Sequence, residues 1–546
     1  GLSYKTERSK YKFNVLHIQN GERRAALFEQ DTEISNAVRS KKDNLEYTER
    51  SVTNLLFSGK HSSESGKFTT EWKLAPTFTS ADDKDVRLTT FIFEDDGTFT
   101  INSDAGFPNR IWRDLDETNL IGKVDFSMKE ELFGRPALFK AGGLYSYKQR
   151  DYIISNFDIG LRAFDSRTLN GDPNAILAPG NIWTPQTNSG FFIRGNFQPA
   201  NKFDAEQNTA AAYISAEFRP IEKLRAIVGL RAEQFTSRFT GQNNTGTVIF
   251  DDEKTIDELD LFPSANFIYE LNEKANLRAA YYRTTARPTF KELSVVQIND
   301  LLTGLVFLGN IDLQPSYTNN FDLRYEYYGK GSDMFAISGF YKNFDDPIEL
   351  VAFDIVAPNQ FTPRNAPSAE VFGIEFEVRK HFGFISQGLE KLSINTNVSF
   401  IESQISMNKG PGQEFESRQI FARDGERISS RRSLQGQSPY LVNTGFVFND
   451  SDKGIEAGLF YNVQGQTLEV VGFGKNPDVF VQPFHSLNAT FGYKFGENKN
   501  HNLSFKINNL LNDNRDSLYK SFQADPRIFS RRAPRREFSV GYSISL

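Results

Sequence analysis

Arginine gathers in three stretches of a chain that is slightly acidic over its whole length, with 63 Lys and Arg against 69 Asp and Glu. Arg418, Arg423, Arg427, Arg431 and Arg432 fall between 404 and 439. Arg527, Arg531, Arg532, Arg535 and Arg536 crowd residues 527–536. Residues 107–114 read FPNRIWRD, with Trp112 beside Arg110 and Arg113. A guanidinium is a planar fork of donors suited to anions, and an indole face stacks on flat or cationic groups. The chemistry offered is capture of an anionic or flat ligand, with two basic loops on one rim focusing the field. Two bland alternatives stand beside it. The arginines can pair with Glu414, Glu416, Asp424 and Glu426, and Trp112 can be the small core of its own loop. A further set, Arg283, Arg287 and Glu292 in RTTARPTFKEL (283–293), can touch ligand or form an ion pair that holds a strand exit, where Pro288 ends ladder donation.

Covalent chemistry finds no support. With no Cys there is no disulfide, thiolate metal site or Cys nucleophile. The five His (His17, His61, His381, His485, His501) show no metal-ligand spacing, so no metal is expected. No Gly-rich phosphate loop and no nucleophile–base pairing stands out, so neither an enzyme nor a cofactor is expected. A net charge of −6 does not suggest a nucleic-acid partner.

The elements that must hold these side chains are strands. In NFDLRYEYY, Phe321, Leu323, Tyr325 and Tyr327 alternate with Asn320, Asp322, Arg324 and Glu326. In VFGIEFEVRK, Phe372, Ile374, Phe376 and Val378 alternate with Gly373, Glu375, Glu377 and Arg379. The last residues, REFSVGYSISL, alternate in the same way. Period two places successive side chains on opposite faces of a strand. Strands are expected near 1–5, 10–19, 45–58, 66–78, 118–133, 137–148, 208–219, 223–236, 259–271, 275–286, 318–328, 333–344, 370–380, 391–403, 440–449, 454–464, 484–495, 502–510 and 536–546.

No stretch approaches the roughly 20 apolar residues of a spanning helix, and GLSYKTERSK lacks the apolar core of a signal peptide. The connections decide between a soluble sandwich and a membrane barrel. Short turns (PIE, NEK, GKGS, NDSDK, GENKN) alternate with long loops over 20–44, 79–117, 149–207, 237–258, 287–317, 345–369, 404–439, 465–483 and 511–535. Short periplasmic turns and long outer loops are the pattern of an outer-membrane barrel, and only a closed sheet leaves no unpaired backbone in lipid. The expectation is an all-β transmembrane antiparallel barrel, oily outside and wet inside. Its lumen charges Arg278, Asp322, Arg324, Glu326, Glu375, Glu377 and Arg379 can contact a substrate or a body seated in the lumen, and the favoured expectation is that they solvate the wet face and pair across the wall. The last strand, ending on Leu546, is expected to seal the barrel against the first.

The stretch 283–293 is followed by GNIDLQPSYTNNFDLRYEYY at 309–328. Together they resemble the barrel domain of TonB-dependent outer-membrane receptors, through Arg283, Arg287, Pro288, Phe290, Glu292, Leu293, Asn310, Asp312, Leu313, Pro315 and Asn320. FGRPALFKAGGLYSYKQRD (133–151), QGQSPYLVNTGFVF (435–448) and LSFKINNLLND (503–513) are similar to further stretches of that family. The resemblance implies a 22-stranded barrel with a plugged lumen, of which about 19 strands lie in residues 1–546. The first three strands and the N-terminal plug domain would then precede residue 1. It implies TonB-dependent active import of an extracellular ligand without covalent chemistry. The implied partners are the plug, the TonB energy-coupling complex, outer-membrane lipid and lipopolysaccharide, with room for a surface lipoprotein. The ligand contacts would come from Arg110, Trp112, Arg113, Arg283, Arg287, Arg427, Arg431, Arg432, Arg531 and Arg532, with the basic loops open also to lipopolysaccharide phosphates. A diffusion porin and a structural barrel subunit are the competing functions. Iron chelates, vitamins, oligosaccharides and peptides all suit such a wall.

Overall fold

The computed structural model of the chain describes residues 1–32, 38–103, 106–300, 305–352 and 359–545. Parts of the loops expected over 20–44, 79–117, 287–317 and 345–369, and the terminal Leu546, lie outside them. Among the described residues, nineteen strands follow one another around a single antiparallel wall, each paired with its neighbours in the chain. They are β1 Leu2–Lys5, β2 Ser9–Thr32, β3 Val38–Ser62, β4 Phe68–Phe93, β5 Asn109–Leu132, β6 Arg135–Arg162, β7 Lys202–Ile221, β8 Leu224–Gln242, β9 Ile249–Asn272 and β10 Ala275–Ala286. They continue as β11 Ser316–Tyr328, β12 Met334–Asp345, β13 Ser368–His381, β14 Leu392–Ser406, β15 Tyr440–Asp450, β16 Ile455–Gln464, β17 Phe484–Phe495, β18 His501–Asn508 and β19 Glu537–Ile544. Each corresponds to an expected strand. Three short strands, Phe99–Thr100, Gly190–Gly195 and Arg431–Arg432, complete the 22-stranded sheet.

Alternation sets the two faces. On β11, Phe321 and Leu323 are 47% and 55% exposed, while Asn320 and Glu326 on the other face are 3% and 5% exposed. The apolar face is continuous across strands: Trp72, Val124, Gly143, Ala212 and Ala232 stand opposite one another in register.

The structure corrects the loop boundaries in the first half. Strands β2 to β6 and β9 run 24–28 residues, against the roughly 9–11 that cross a bilayer. The wall therefore rises well past the membrane as paired ribbons, and much of 20–44, 79–117, 149–207 and 237–258 is strand. The reason is physical. Above the lipid both faces of a strand meet water, so the oily–polar alternation disappears while the ladder continues. In β6 the outward set passes from Phe139, Ala141, Gly143 and Tyr145 to Gln149 and Asp151 without a break in register with β5.

In the second half the outer connections build a cap. Strands Gln297–Asn299, Val306–Leu308, Gln360–Asn365 and Ile348–Ala352 make one four-stranded sheet; Thr467–Val470, Asp478–Val481, Arg515–Lys520 and Arg527–Arg532 make another. A parallel bridge between Val351 and Val471 joins them, with the Ala352 N–H donating to the Val471 carbonyl at 3.0 Å. One α-helix, Glu414–Ile420, lies in the 404–439 connection. The buried apolar clusters also sit at this outer end, for example Phe203, Ala205, Phe239, Phe290 and Val296. Among the described residues β1 pairs only with β2 and β19 only with β18.

Candidate functional site

The inner wall and the cap are both built by segments that leave strand ends. After β10, Pro288 stops the ladder and the chain turns over the inner face of its neighbours. Phe290 packs against Phe203, Phe239 and Val296, with the Lys148 ammonium and the Arg150 guanidinium each 5.3 Å from its ring centre. Both cations alternate with outward Tyr145 and Tyr147, so Phe290 lies on the lumen side. Farther on, Gln297 N–H donates to Asn201 Oδ1 at 3.1 Å, and Arg113 Nη2 donates to the Asn299 carbonyl at 3.2 Å. Residues 287–299 thus cross the inner face of β8, β7, β6 and β5. The upper lumen wall, expected wet, is locally dry beneath this strap because its inward residues (Phe203, Ala205, Phe239) are apolar.

Arg287 anchors the strap. Its guanidinium hydrogen-bonds Glu233, lies 3.5 Å from Asp260 and sits 4.3 Å from the centre of the Phe235 ring. Glu233 and Asp260 face each other across β8 and β9. Arg283 is placed differently, with its guanidinium 4.7 Å over the Tyr317 ring. Glu292 accepts from the Thr289 N–H and hydroxyl at 2.8 and 2.9 Å, a local turn. Leu293 and Leu313 enter the core with Phe235 and Ile256.

Arg110, Trp112 and Arg113 stand on β5, not on a loop. Alternation sends Arg110 and Trp112 to one face and Arg113 to the other. Arg110 pairs with Asp85 and lies 5.7 Å over Trp112, whose ring meets Phe157 edge-on at 5.5 Å. Arg113 pairs with Asp83 at 3.0 Å.

In the cap, Arg432 is buried between two carboxylates. Nη1 and Nη2 donate to Glu349 at 3.0 and 2.7 Å, and Nε donates to Glu414 at 2.6 Å. Glu414 also accepts from Arg418, which holds Asp478 by two bonds of 3.1 and 2.6 Å. Burial opposes the charge on Arg432, but Glu349 and Glu414 outweigh it and raise its pKa; Asp478 and Glu414 do the same for Arg418. Gln435 completes the joint: its amide accepts from Leu350 N–H at 2.7 Å and donates to the Leu350 and Glu469 carbonyls at 2.9 and 2.6 Å. Arg431 turns away to Gln404 and Glu370 (3.0 and 3.6 Å), and Arg531 forks onto Asp516 at 2.8 and 2.6 Å. The side chains of Arg427 and Arg532 are exposed and make no hydrogen bond or ion pair among the described residues. Glu349, Asp478, Asp516 and Gln435 escape a sequence reading, since their partners are up to 86 positions away and no local spacing announces them.

Lower in the lumen, the inward charges pair across the wall. Arg324 bridges Glu326 at 2.8 Å and Glu377 at 2.7 Å, Arg278 reaches Glu326 at 2.8 Å and Arg379 reaches Glu377 at 3.5 Å. Glu375 accepts from Ser399 at 3.3 Å. Among the described residues no three His, Cys, Asp or Glu are placed to hold a metal. The arrangement can bind and guide a solute.

The family described as TonB dependent receptor-like, beta-barrel, matches residues 12–510. No curated protein matches the chain. Its fold is similar to the ferric yersiniabactin uptake receptor FyuA from Yersinia pestis, at 11% identity and TM-score 0.55 over 98% of this chain and 78% of that one. It is similar also to the ferric citrate transporter FecA (12%, 0.55, 99% and 77%) and to the siderophore receptor PiuA from Acinetobacter baumannii (12%, 0.54, 100% and 82%). At such identities these likenesses show the fold alone.

Proposed function

Because the chain belongs to the TonB dependent receptor-like β-barrel family, an outer-membrane family of import receptors, we propose that its outer cap captures a ligand that the TonB system then draws through the lumen. The family implies a plug domain and TonB coupling. In this reading the wall does no covalent chemistry. It supplies a seat for the plug and a rigid outer mouth, and lipid and lipopolysaccharide surround its apolar belt.

The observation that carries the reading is the cap on the outer ends of the wall: two small sheets, bridged at Val351 and Val471, standing where an external solute first arrives. The test is growth of a deletion strain on iron chelates, vitamins, oligosaccharides and peptides, with the full gene restored in TonB-proficient and TonB-deficient backgrounds. Rescue on one class, only with TonB present, is expected. Rescue that persists without TonB removes active import.

A further inference from the structure

The two cap sheets enclose a cavity of about 470 Å³ near their junction, within the roughly 300–1,000 Å³ of small-ligand sites. Its floor is apolar and closed: Ala352, Val470 and Val479 are buried. Its walls are aromatic. Phe361 comes from one sheet, and Tyr519 and Phe529 from the other, packed edge to face at 5.2 Å. Its rim is charged, with Arg423 and Arg527 set against a single carboxylate, Asp525.

Among the described residues, the rim guanidiniums lack the carboxylate partners that three other arginines of the cap hold. Arg418, Arg432 and Arg531 each grip a carboxylate through two hydrogen bonds. The Arg423 guanidinium donates to the Phe522 carbonyl at 3.2 Å, its backbone N–H holds the Glu426 carboxylate at 3.0 Å, and neither the Arg423 nor the Arg527 guanidinium makes an ion pair among the described residues. A guanidinium left without a carboxylate beside an apolar, partly desolvated hollow attracts an anion more strongly than one in open water. Aromatic walls favour a flat body through stacking and edge contacts.

We propose that this cavity is a capture site for a flat aromatic anion: an aryl body against Phe361, Tyr519 and Phe529, and a carboxylate-like group between Arg423 and Arg527. The site rests on the import reading, since it makes this compound class, or a larger ligand displaying it, the cargo. Asp525 disfavours a second anionic group and leaves room for a hydroxyl or amine donor.

The test uses the full-length receptor purified in dodecyl maltoside, with 2-naphthoate as the probe and saturation-transfer NMR as the readout. Saturable binding of 2-naphthoate, and none of 2-naphthylmethylammonium, is expected. The Arg423→Glu/Arg527→Glu double variant weakens binding at least tenfold, whereas Arg423→Lys/Arg527→Lys retains most of it; heat-modifiable gel mobility reports that each barrel is folded. Absent saturable binding, or equal binding by the Glu variant, overturns the site. Equilibrium binding needs no energy, so it stands apart from TonB dependence. Binding without TonB-dependent uptake keeps the cavity and removes the import reading; uptake without naphthoate binding does the reverse.

Discussion

The guanidinium of Arg432 meets the carboxylate of Glu349 through two parallel hydrogen bonds, 3.0 and 2.7 Å long, with the two side chains 9% and 3% exposed. Glu414 occupies the remaining edge of the same guanidinium, so one cation holds two acids from two different outer connections. Breaking a buried pair by deleting one partner costs about 3–5 kcal/mol, whereas apolar replacement of the whole set is far milder. Arg432→Ala is expected to open the cap and expose it to protease at concentrations that leave the parent intact. The triple variant Arg432→Met/Glu349→Leu/Glu414→Leu is expected to recover most of the resistance, which limited proteolysis with mass spectrometry measures.

Arg287 is expected to control the strap along the inner wall. Removing it leaves Glu233 and Asp260 face to face on adjacent strands, and like charges in that position repel. Arg287→Ala should speed amide exchange of residues 287–299 by about tenfold or more through local opening. Exchange in β15–β18 should not change. Hydrogen-exchange mass spectrometry separates the two regions, and uniform protection in both would show that the strap is held by Phe290 alone.

The bilayer assignment predicts opposite tolerances at two adjacent positions. Leu323 faces outward near the middle of β11 and Asp322 faces the lumen. A cation on the lipid face near the midplane costs about 2–4 kcal/mol. Leu323→Arg is therefore expected to lower the amount of folded, heat-modifiable receptor in the outer membrane, while Asp322→Asn leaves it near the parent level.

A periplasmic turn gives a pH test. Lys380 Nζ and the His381 N–H donate to Asp333 at 2.5 and 3.0 Å, and they pull its carboxyl down to about 2 from the ordinary carboxylate value. A depressed folded-state pKa contributes stability that is fully present above the unfolded value and is lost as pH falls through the folded one. Asp333→Asn should therefore unfold more readily than the parent at pH 6, and the gap should close between about pH 4 and pH 2. The group is close to solvent, so the effect is small and is best read as a difference in unfolding midpoint across pH.

The wall was legible because its signal is local. Alternation in NFDLRYEYY or VFGIEFEVRK assigns each side chain to lipid or lumen without knowing any partner, and the rhythm of short and long connections orients the sheet. The motif from Arg283 to Asn320 carried the family. The outer end was not legible in the same way. Above the lipid both strand faces are polar, so Arg110, Trp112 and Arg113 read as one loop cluster although β5 divides them between two faces. What Arg432, Arg418 and Arg531 do depends on Glu349, Asp478 and Asp516, and which arginines stay unpaired beside the cavity depends on how two distant sheets meet at Val351 and Val471. Composition can count those charges. Only the folded chain decides which carboxylate reaches which guanidinium, because Coulomb attraction and desolvation act over a few ångströms in space and take no account of separation along the chain.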